Sequence, residues 1–251
     1  MKQGASLTTP VEDCLIAIAT LRDDQIPSIP ARIAEHLEIS QPSAGETLKR
    51  LQRDGYVVHD EGREYRLSAK GQEVADRLMR RHRLIERWLT DVLNLDWASA
   101  HVEAHRLEHS VSDLVAEQLA VSMGYPDSCP HGNPITNEAR DPSARRLTEA
   151  EAGHEFVLHR ISEVAEDNGE LMTYYEQMGF RPGARIRVRD HGPMDRALNI
   201  TVNAHDLTLA SEWASFLWVS PAGPGQGAAG GVDVGVVAEV PGGGVAAPSL
   251  S

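Results

Sequence analysis

Four potential metal ligands fall in one short stretch, AHVEAHRLEHS, between residues 100 and 110. They are His101, His105, Glu108 and His109. Their spacing of i, i+4, i+7 and i+8 puts all four on one face of an α-helix. Imidazole and carboxylate groups stacked in this way are poor material for a hydrophobic core, and histidine is the commonest metal ligand in proteins. The stretch therefore predicts a metal site on a helix.

A second pair of the same residue types, His82 and Glu86, has i, i+4 spacing on the preceding predicted helix. A helical hairpin would bring this pair toward the first cluster. A solvated polar face would account for any single histidine, but it accounts poorly for four histidines and two glutamates in helical register. We therefore interpret the set as a regulatory metal site that joins helices from different parts of the chain.

An enzymatic interpretation is the alternative. The segment from His105 to His109 fits H-x-x-E-H, the inverted zinc-peptidase motif, in which two histidines bind zinc and the glutamate is the general base. Three specified positions in five residues are a weak signal. A zinc metallopeptidase would have no use for the second His–Glu pair, and it would leave the N-terminal elements unexplained.

The first 67 residues predict three helices followed by two short strands. The helices are expected at residues 10–22, 28–38 and 40–54. Ser40 is the expected N-cap of the third helix and Gly55 ends it. The segment YVVHDEGREYRL then has the alternation of a β-hairpin. This order predicts a winged helix-turn-helix, in which the second helix of the pair enters the major groove of DNA.

Two longer helices are expected next, at residues 69–92 and from Trp97 to about Met123. As a hairpin they expose more apolar surface than one chain needs, which indicates a dimer interface. A connector rich in Pro, Asn and Ser spans residues 126–144, and we assign Cys129 and His131 to this loop rather than to a metal pair.

The remaining segments are a small β unit and a tail. Short strand patterns between Leu147 and Val219 predict a barrel with a helix near Gly169–Gln177. The tail from Pro221 to Ser251 holds 9 of the 21 glycines and almost no charge, so we predict that it is disordered. Cys14 points away from its neighbour Asp13 around the first helix and is assigned to the core.

Charge and composition are compatible with a DNA-binding protein of the cytoplasm. The net charge is −13, but residues 26–90 hold 12 Lys and Arg against 10 Asp and Glu. A near-neutral segment of this kind can face phosphates with one surface. The sequence has no apolar run long enough for a membrane span and no cationic N-terminal signal. Two cysteines make no disulfide framework and fit a reducing compartment.

Several stretches together resemble the diphtheria toxin repressor family of iron- and manganese-dependent regulators. They are PARIAEHLEISQPSAGETLKRLQRDGYV, RRHRLIERWLTDVLNLD, HVEAHRLEHSVSD and PHGNPI, in the family's order and spacing, and more loosely GFRPGARIRV. The resemblance implies a mainly α protein with small β elements. Its expected parts are a winged helix-turn-helix domain (1–74), a helical metal-binding and dimerisation domain (75–146), an SH3-like β-barrel (147–220) and the tail (221–251).

The same resemblance implies two metal sites per subunit. The primary site would consist of Asp13, His105, Glu108 and His109. The ancillary site would consist of His82, Glu86 and His101. In some members the SH3-like module adds a ligand, for which Asp167 and Glu170 are the candidates.

Three positions bear on the choice of metal. Asp13 stands where iron-sensing members have methionine and manganese-sensing members have aspartate, whereas His105 stands where cysteine or glutamate is usual. Ile16 replaces a glutamate found in some manganese sensors. Carboxylate and imidazole make the site harder and favour Mn²⁺, although imidazole also suits Fe²⁺, Co²⁺ and Zn²⁺. We therefore expect Mn²⁺, with Fe²⁺ as the alternative and with Co²⁺ or Zn²⁺ able to substitute in vitro.

The expected function is a homodimeric repressor that binds a palindromic operator in double-stranded DNA and controls metal-uptake genes, with no small-molecule substrate and no membrane partner. The candidates for base contacts are Ser43, Glu46 and Thr47. The candidates for phosphate contacts are Ser40, Arg50, Arg63 and Arg32, with Pro42 at the start of the same recognition helix.

Overall fold

The structure is a computed structural model that describes residues 7–59, 64–136 and 142–223. Arg63 and the tail beyond residue 223 lie outside the described residues, so the predictions made for them stay predictions. The structure has the predicted order of parts: an N-terminal helical unit with a β-hairpin, a second helical unit and a C-terminal β unit follow one another along the chain.

The N-terminal unit is built from three helices and a hairpin. These are α1 (Thr9–Asp23), α2 (Pro30–His36), α3 (Gln41–Arg53), β1 (Val57–His59) and β2 (Tyr65–Leu67). Ser40 caps α3, since its hydroxyl accepts the N–H of Ser43 at 3.3 Å. Gly55 ends that helix with φ +77°, a conformation that favours glycine. Leu15, Ile33 and Leu48 are fully buried at the centre of the unit.

The helical unit contains α4 (Ala69–Asp91), α5 (Trp97–Glu108) and α6 (Asp113–Ser122). The predicted single helix from Trp97 to about Met123 is therefore wrong: the chain leaves the helix at His109. Ser112 restarts it as an N-cap that accepts the N–H of Val115 at 3.3 Å. At the start of α4, a Cβ on Gly71 would lie 2.0 Å from the carbonyl oxygen of Tyr56, so only glycine lets this helix approach the N-terminal unit so closely.

The C-terminal unit is a six-stranded antiparallel sheet in the order β3-β8-β4-β5-β6-β7. The strands are β3 (Arg145–Arg146), β4 (Glu155–Ile161), β5 (Arg185–His191), β6 (Ala197–Val202), β7 (His205–Ala210) and β8 (Leu217–Pro221). Its helices are α7 (Glu163–Glu166), α8 (Gly169–Met178) and α9 (Ser211–Ala214), with 3-10 turns at Leu147–Glu149 and Pro193–Asp195. The helix predicted near Gly169–Gln177 corresponds to α8.

Buried ion pairs dock this sheet onto the helices. Arg160 on β4 lies 3.0 Å from Asp24, which follows α1 and also accepts the hydroxyl of Ser162. Arg83 on α4 lies 2.6 Å from Glu163 at the start of α7. Because α7 is held against both α1 and α4, the residues at its C-terminal end lie at the face of α4 that bears His82 and Glu86.

The N-terminus of α5 is anchored in the core of the C-terminal unit. Trp97 is buried there with the strands of the sheet, and its backbone N–H donates to the carboxylate of Glu176 on α8 at 3.1 Å. This anchor fixes the direction in which α5 runs, and with it the positions of the histidines along the helix. Among the described residues, no helix combines the length and the apolar character that a membrane crossing needs.

Candidate metal centres

The first candidate centre lies where the C-terminal end of α5 meets α1. His109 Nε2 is 2.9 Å from Oδ1 of Asp13 and 3.1 Å from Oε1 of Glu108. His105 Nδ1 lies 3.1 Å from the same Glu108 oxygen. The four residues expected in the primary site are thus brought together, although Asp13 and His109 are 96 positions apart in the sequence.

Three polar atoms at this centre are buried without a hydrogen-bond partner of good geometry. They are Asp13 Oδ1, Glu108 Oε1 and His109 Nε2. Buried polar atoms without a partner are rare in folded proteins, and a group of them is typical of a ligand site. Their donor types, carboxylate oxygen and imidazole nitrogen, are those that divalent transition metals accept, so the residues fit a metal ion.

Without a metal, the charges of this centre compensate one another. Close contact with Asp13, and next with Glu108, raises the pKa of His109 to about 10. Burial would raise the pKa of Glu108, but the charge of His82 and contacts with His105 and His109 outweigh it and hold this pKa well below its usual range. A metal ion that binds here replaces protons held by the imidazoles.

Glu12 is a participant that the sequence did not suggest. Its Oε2 lies 2.8 Å from Nδ1 of His109, the ring nitrogen that faces away from Asp13. A carboxylate on the second nitrogen of a histidine ligand fixes the tautomer and the ring orientation. The contact between Glu12 and His109 depends on how α5 crosses α1. The spacing of residues along the chain therefore could not predict it.

The second candidate centre lies between α4, α5 and α7. Both His82 Nε2 and His101 Nδ1 are 3.0 Å from Oε1 of Glu86. His101 also contacts two carboxylates from the end of α7, Glu166 at 3.4 Å and Asp167 at 3.2 Å. Asp167 was one of the two sequence candidates from the C-terminal module. The other candidate, Glu170, is exposed, and Glu166 was missed.

The two centres share a contact. His82 Nδ1 lies 2.6 Å from Oε2 of Glu108, a residue of the first centre. Burial would lower the pKa of His82, but the charges of Glu86 and Glu108 outweigh it and raise this pKa to about 10. Glu86 is itself fully buried, and its pKa is held far below the usual range by His82 and His131 despite the opposing effect of burial.

The connector contributes residues that the sequence interpretation assigned to a loop. Cys129 and His131 are both fully buried, and the His131 ring packs edge-on to Trp97 with centroids 4.8 Å apart. His131 Nδ1 is 3.0 Å from Glu166. Gly132 makes the tight turn possible: its φ is +87°, and a Cβ there would lie 2.1 Å from the carbonyl oxygen of His159. Cys129, His131, Glu86 and Glu166 form a further group of potential metal ligands.

A cavity of about 450 Å³ gives access to the two centres. Its wall includes Asp13 and His105 of the first centre and His101 and Asp167 of the second. It also includes His36 at the end of α2, whose Nδ1 lies 3.2 Å from Asp167. The cavity therefore lies between all three units of the chain.

The candidate DNA-contacting residues line one exposed surface. Ser40, Pro42, Ser43, Glu46 and Arg50 are exposed along the start and outer face of α3, and Thr47 is partly exposed beside them. The opposite face of α3 buries Ala44, Leu48 and Leu51. Arg32 on α2 is exposed and pairs with Glu35 at 2.7 Å.

Three family models together match most of the chain. Residues 6–64 match the N-terminal DNA-binding domain of iron-dependent repressors, residues 68–137 match their metal-binding and dimerisation domain, and residues 145–221 match the FeoA domain. The iron-dependent repressor IdeR of Mycobacterium leprae is 33% identical over 220 residues, which cover 83% of this chain and 95% of the relative. The chain belongs to the diphtheria toxin repressor family.

Further similarities agree with this membership. The diphtheria toxin repressor of Corynebacterium diphtheriae is 31% identical over 218 residues, covering 83% of this chain and 95% of the relative. A manganese-dependent transcriptional repressor solved with manganese superposes with a TM-score of 0.76 at 28% identity, covering 84% of this chain and all of the other. The manganese regulator SloR gives 0.71 at 31% identity, covering 84% and 98%.

Membership decides between the two functional interpretations. The chain is a metal-dependent transcriptional repressor and not an enzyme, as are the members of its family. The geometry agrees, because a peptidase would need Glu108 as a free general base facing substrate. Glu108 is instead buried, and its two oxygens already face His82, His105 and His109.

Proposed function

We propose that this protein is a homodimeric, cytoplasmic repressor that is activated by manganese. It binds a palindromic operator upstream of metal-uptake genes. The observation that carries the proposal is the 2.9 Å contact between Asp13 on α1 and His109 at the end of α5. α1 belongs to the DNA-binding unit and α5 to the helical unit. A metal ion held by both would fix how one unit sits on the other.

The switch follows from this linkage. Asp13 and Glu108 repel each other as carboxylates unless a cation lies between them, and His109 supplies that charge only while it is protonated. A divalent ion held by Asp13, His105, Glu108 and His109 supplies the charge permanently and brings the four donors to one point. The orientation of α3 relative to the dimer is then fixed, so that both recognition helices reach successive major grooves.

The donor set supports Mn²⁺. The proposed primary ligands are two carboxylates and two imidazoles, with no sulfur, and the carboxylate oxygens suit Mn²⁺. Fe²⁺ is the alternative, because imidazole suits it as well and because curated relatives carry the name of iron-dependent repressors. Co²⁺ and Zn²⁺ are expected to substitute in vitro. The ancillary ligands proposed are His82, Glu86 and His101, with Asp167 from the C-terminal unit.

An apolar surface on the helical unit supports the dimer. It consists of Val92, Leu93, Val102, Leu107, Leu114, Val115 and Val121, all exposed in the single chain. The first two follow α4 directly, the next two lie on α5 and the last three lie on α6. Exposed apolar patches of this kind mark association surfaces. A two-fold dimer built on this surface would require an operator with two-fold symmetry.

The DNA contacts are proposed at the exposed face of α3. Ser43, Glu46 and Thr47 would reach base edges, and Ser40, Arg50, Arg63 and Arg32 would contact phosphates near Pro42. Glu46 would accept from a cytosine amino group but would repel phosphate, which sets the expected sequence preference. The domain limits 1–74, 75–146 and 147–220 are proposed with it. The limit at 74/75 lies inside α4, which is continuous from the first unit into the second.

The deciding experiment is a DNA-binding titration of the full chain with Mn²⁺, Fe²⁺, Co²⁺ and Zn²⁺. We expect binding to an operator fragment to require metal, to disappear with a chelator, and to be lost in Asp13→Ala at metal concentrations that saturate the wild type. Glu73→Ala, which removes an exposed carboxylate from α4, is the matched control and should bind as the wild type does. Equal DNA binding with metal and with chelator would refute the switch.

A further inference from the structure

Two buried carboxylates, Glu86 and Glu166, lie between two histidines that belong to different ligand groups. Glu86 and Glu166 occur in both potential metal-ligand groups of this region, one completed by His82 and His101 and the other by Cys129 and His131. Within each group the ligand atoms lie within 4.8 Å of one another. Because Glu86 and Glu166 belong to both groups, the groups could bind one ion at either position or two ions at once.

The orientation of the carboxylates decides between these alternatives. Oε1 of Glu86 lies 3.0 Å from His101, while its other oxygen, Oε2, faces His131 at 3.7 Å. Oε2 of Glu166 lies 3.4 Å from His101, while its Oε1 faces His131 at 3.0 Å. Each carboxylate therefore turns one oxygen to each histidine. This is the arrangement of two carboxylates that bridge a pair of metal ions, as in helical proteins with carboxylate-bridged metal pairs.

The inner side of this arrangement is unsatisfied. His131 is fully buried, and neither of its ring nitrogens makes a hydrogen bond of good geometry; Glu86 Oε2 also has no partner. Leaving buried polar atoms unpaired destabilises a fold, so such atoms usually have a partner. Asn133 donates to Glu166 Oε1 at 2.8 Å and so keeps this carboxylate turned toward His131.

We propose that Glu86 and Glu166 bridge two divalent cations. The outer cation is held with His82 and His101 at the cavity, and the inner one is held with His131 and Cys129 in the protein interior. The inference rests on the proposed function only in that it assigns the ancillary region to metal binding. It goes further by giving that region two ions, which makes three per subunit with the primary site.

The donor sets give the two positions different chemistry. The outer position offers oxygen and nitrogen, and the inner position adds sulfur, which favours softer ions such as Zn²⁺ or Co²⁺. Cys129 binds a metal as the thiolate, so its proton leaves to solvent when the inner ion enters. The inner ligands are all buried, whereas His82 and His101 of the outer position border the cavity. The inner ion should therefore leave more slowly when a chelator is added.

The test is a Co²⁺ and Mn²⁺ titration of the full chain in which Asp13→Ala and His109→Ala remove the primary site. Metal per subunit is counted by native mass spectrometry. We expect two ions per subunit, a thiolate-to-cobalt charge-transfer band, and magnetic coupling between two Mn²⁺ ions in electron paramagnetic resonance. A single ion per subunit at saturation, or two ions without magnetic coupling, would overturn the bridge.

Further variants separate the two positions. In the same background Cys129→Ser should abolish the charge-transfer band, and His131→Ala should remove one ion and the magnetic coupling. Cys14→Ser changes the other buried cysteine and should retain both signals. Circular dichroism checks that each variant is folded. Loss of the band in Cys14→Ser, or its persistence in Cys129→Ser, would contradict the assignment.

Failure of this inference is distinguishable from failure of the proposed function. Chelator-sensitive DNA binding of the wild type, measured alongside, reports on the repressor switch alone. If the primary-site variant binds one ion while the wild type keeps metal-dependent DNA binding, the bridge is refuted and the switch stands. If two coupled ions bind while the wild type binds DNA equally with metal and with chelator, the bridge stands and the switch is refuted.

Discussion

At the scale of single residues, the two histidines on either side of Glu108 have different surroundings. The side chain of His109 is 11% exposed and is held from both sides by carboxylates, whereas that of His105 is 58% exposed, pairs with Glu108 and packs edge-on to the His109 ring. His105 can therefore be exchanged without disturbing the fold. It is the position at which metal preference can be altered independently of stability.

We expect His105→Cys to shift metal preference toward softer ions. A thiolate in place of imidazole favours Co²⁺ and Zn²⁺ over Mn²⁺, and the ratio of Co²⁺ to Mn²⁺ affinity should rise on the order of tenfold, or about 1.4 kcal/mol. Isothermal titration of both metals measures the ratio. Glu103→Cys, which puts a thiol elsewhere on α5, should leave it unchanged. An unaltered ratio in His105→Cys would exclude this residue as a ligand.

Glu12 provides a second prediction at this scale. Since its carboxylate holds Nδ1 of His109 at 2.8 Å, Glu12→Gln should weaken Mn²⁺ binding at the primary site by about 10–100-fold. DNA binding should then return at correspondingly higher Mn²⁺. Glu73→Gln, which alters an exposed carboxylate on α4, is the control. If Glu12→Gln titrates like the wild type, the contact with His109 does not orient the ligand.

At the level of helices and strands, capping residues in the sequence predicted where helices begin and end. Ser40 and the residues after it predicted the start of α3, and Gly55 predicted its end. The break between α5 and α6 was missed, although Ser112 followed by Asp113 is an N-cap signal of the same kind. The break was missed because apolar residues recur with helical spacing across residues 97–123. The contacts of Glu12, Cys129, His131 and Glu166 arise from packing between distant segments, for which spacing along the chain holds no information.

The Ser112 cap can be tested directly. Ser112→Ala removes the acceptor for the N–H of Val115 and should destabilise the protein by about 1 kcal/mol, lowering the Tm by roughly 2–4 °C. Thermal unfolding of metal-free protein at fixed concentration measures the loss. Ser122→Ala lies at the other end of the same helix and should change stability by less than about 0.5 kcal/mol. Equal Tm values for the two variants would remove the capping role.

At the scale of the whole molecule, the two candidate centres are coupled through shared contacts and through one cavity. His82 of the second centre contacts Glu108 of the first, and Asp167 contacts both His101 and His36. The C-terminal unit thus reaches the DNA-binding unit both through the ancillary centre and through the buried pair of Asp24 and Arg160. A loosened C-terminal unit should therefore weaken the ancillary centre, because Glu166 ends α7 and Asp167 follows it directly.

Asp24→Ala tests this coupling. The substitution leaves Arg160 buried beside an apolar side chain, and removing one partner of a buried ion pair costs about 3–5 kcal/mol. We expect the single unfolding transition of the metal-free protein to divide in two as the C-terminal unit separates first, with weaker binding at the ancillary centre. Asp206→Ala breaks the exposed pair with Arg189 and should cost about 0–1 kcal/mol. Calorimetry at fixed protein concentration distinguishes the two variants, and a similar small cost for both would mean that the Asp24 pair does not hold the units together.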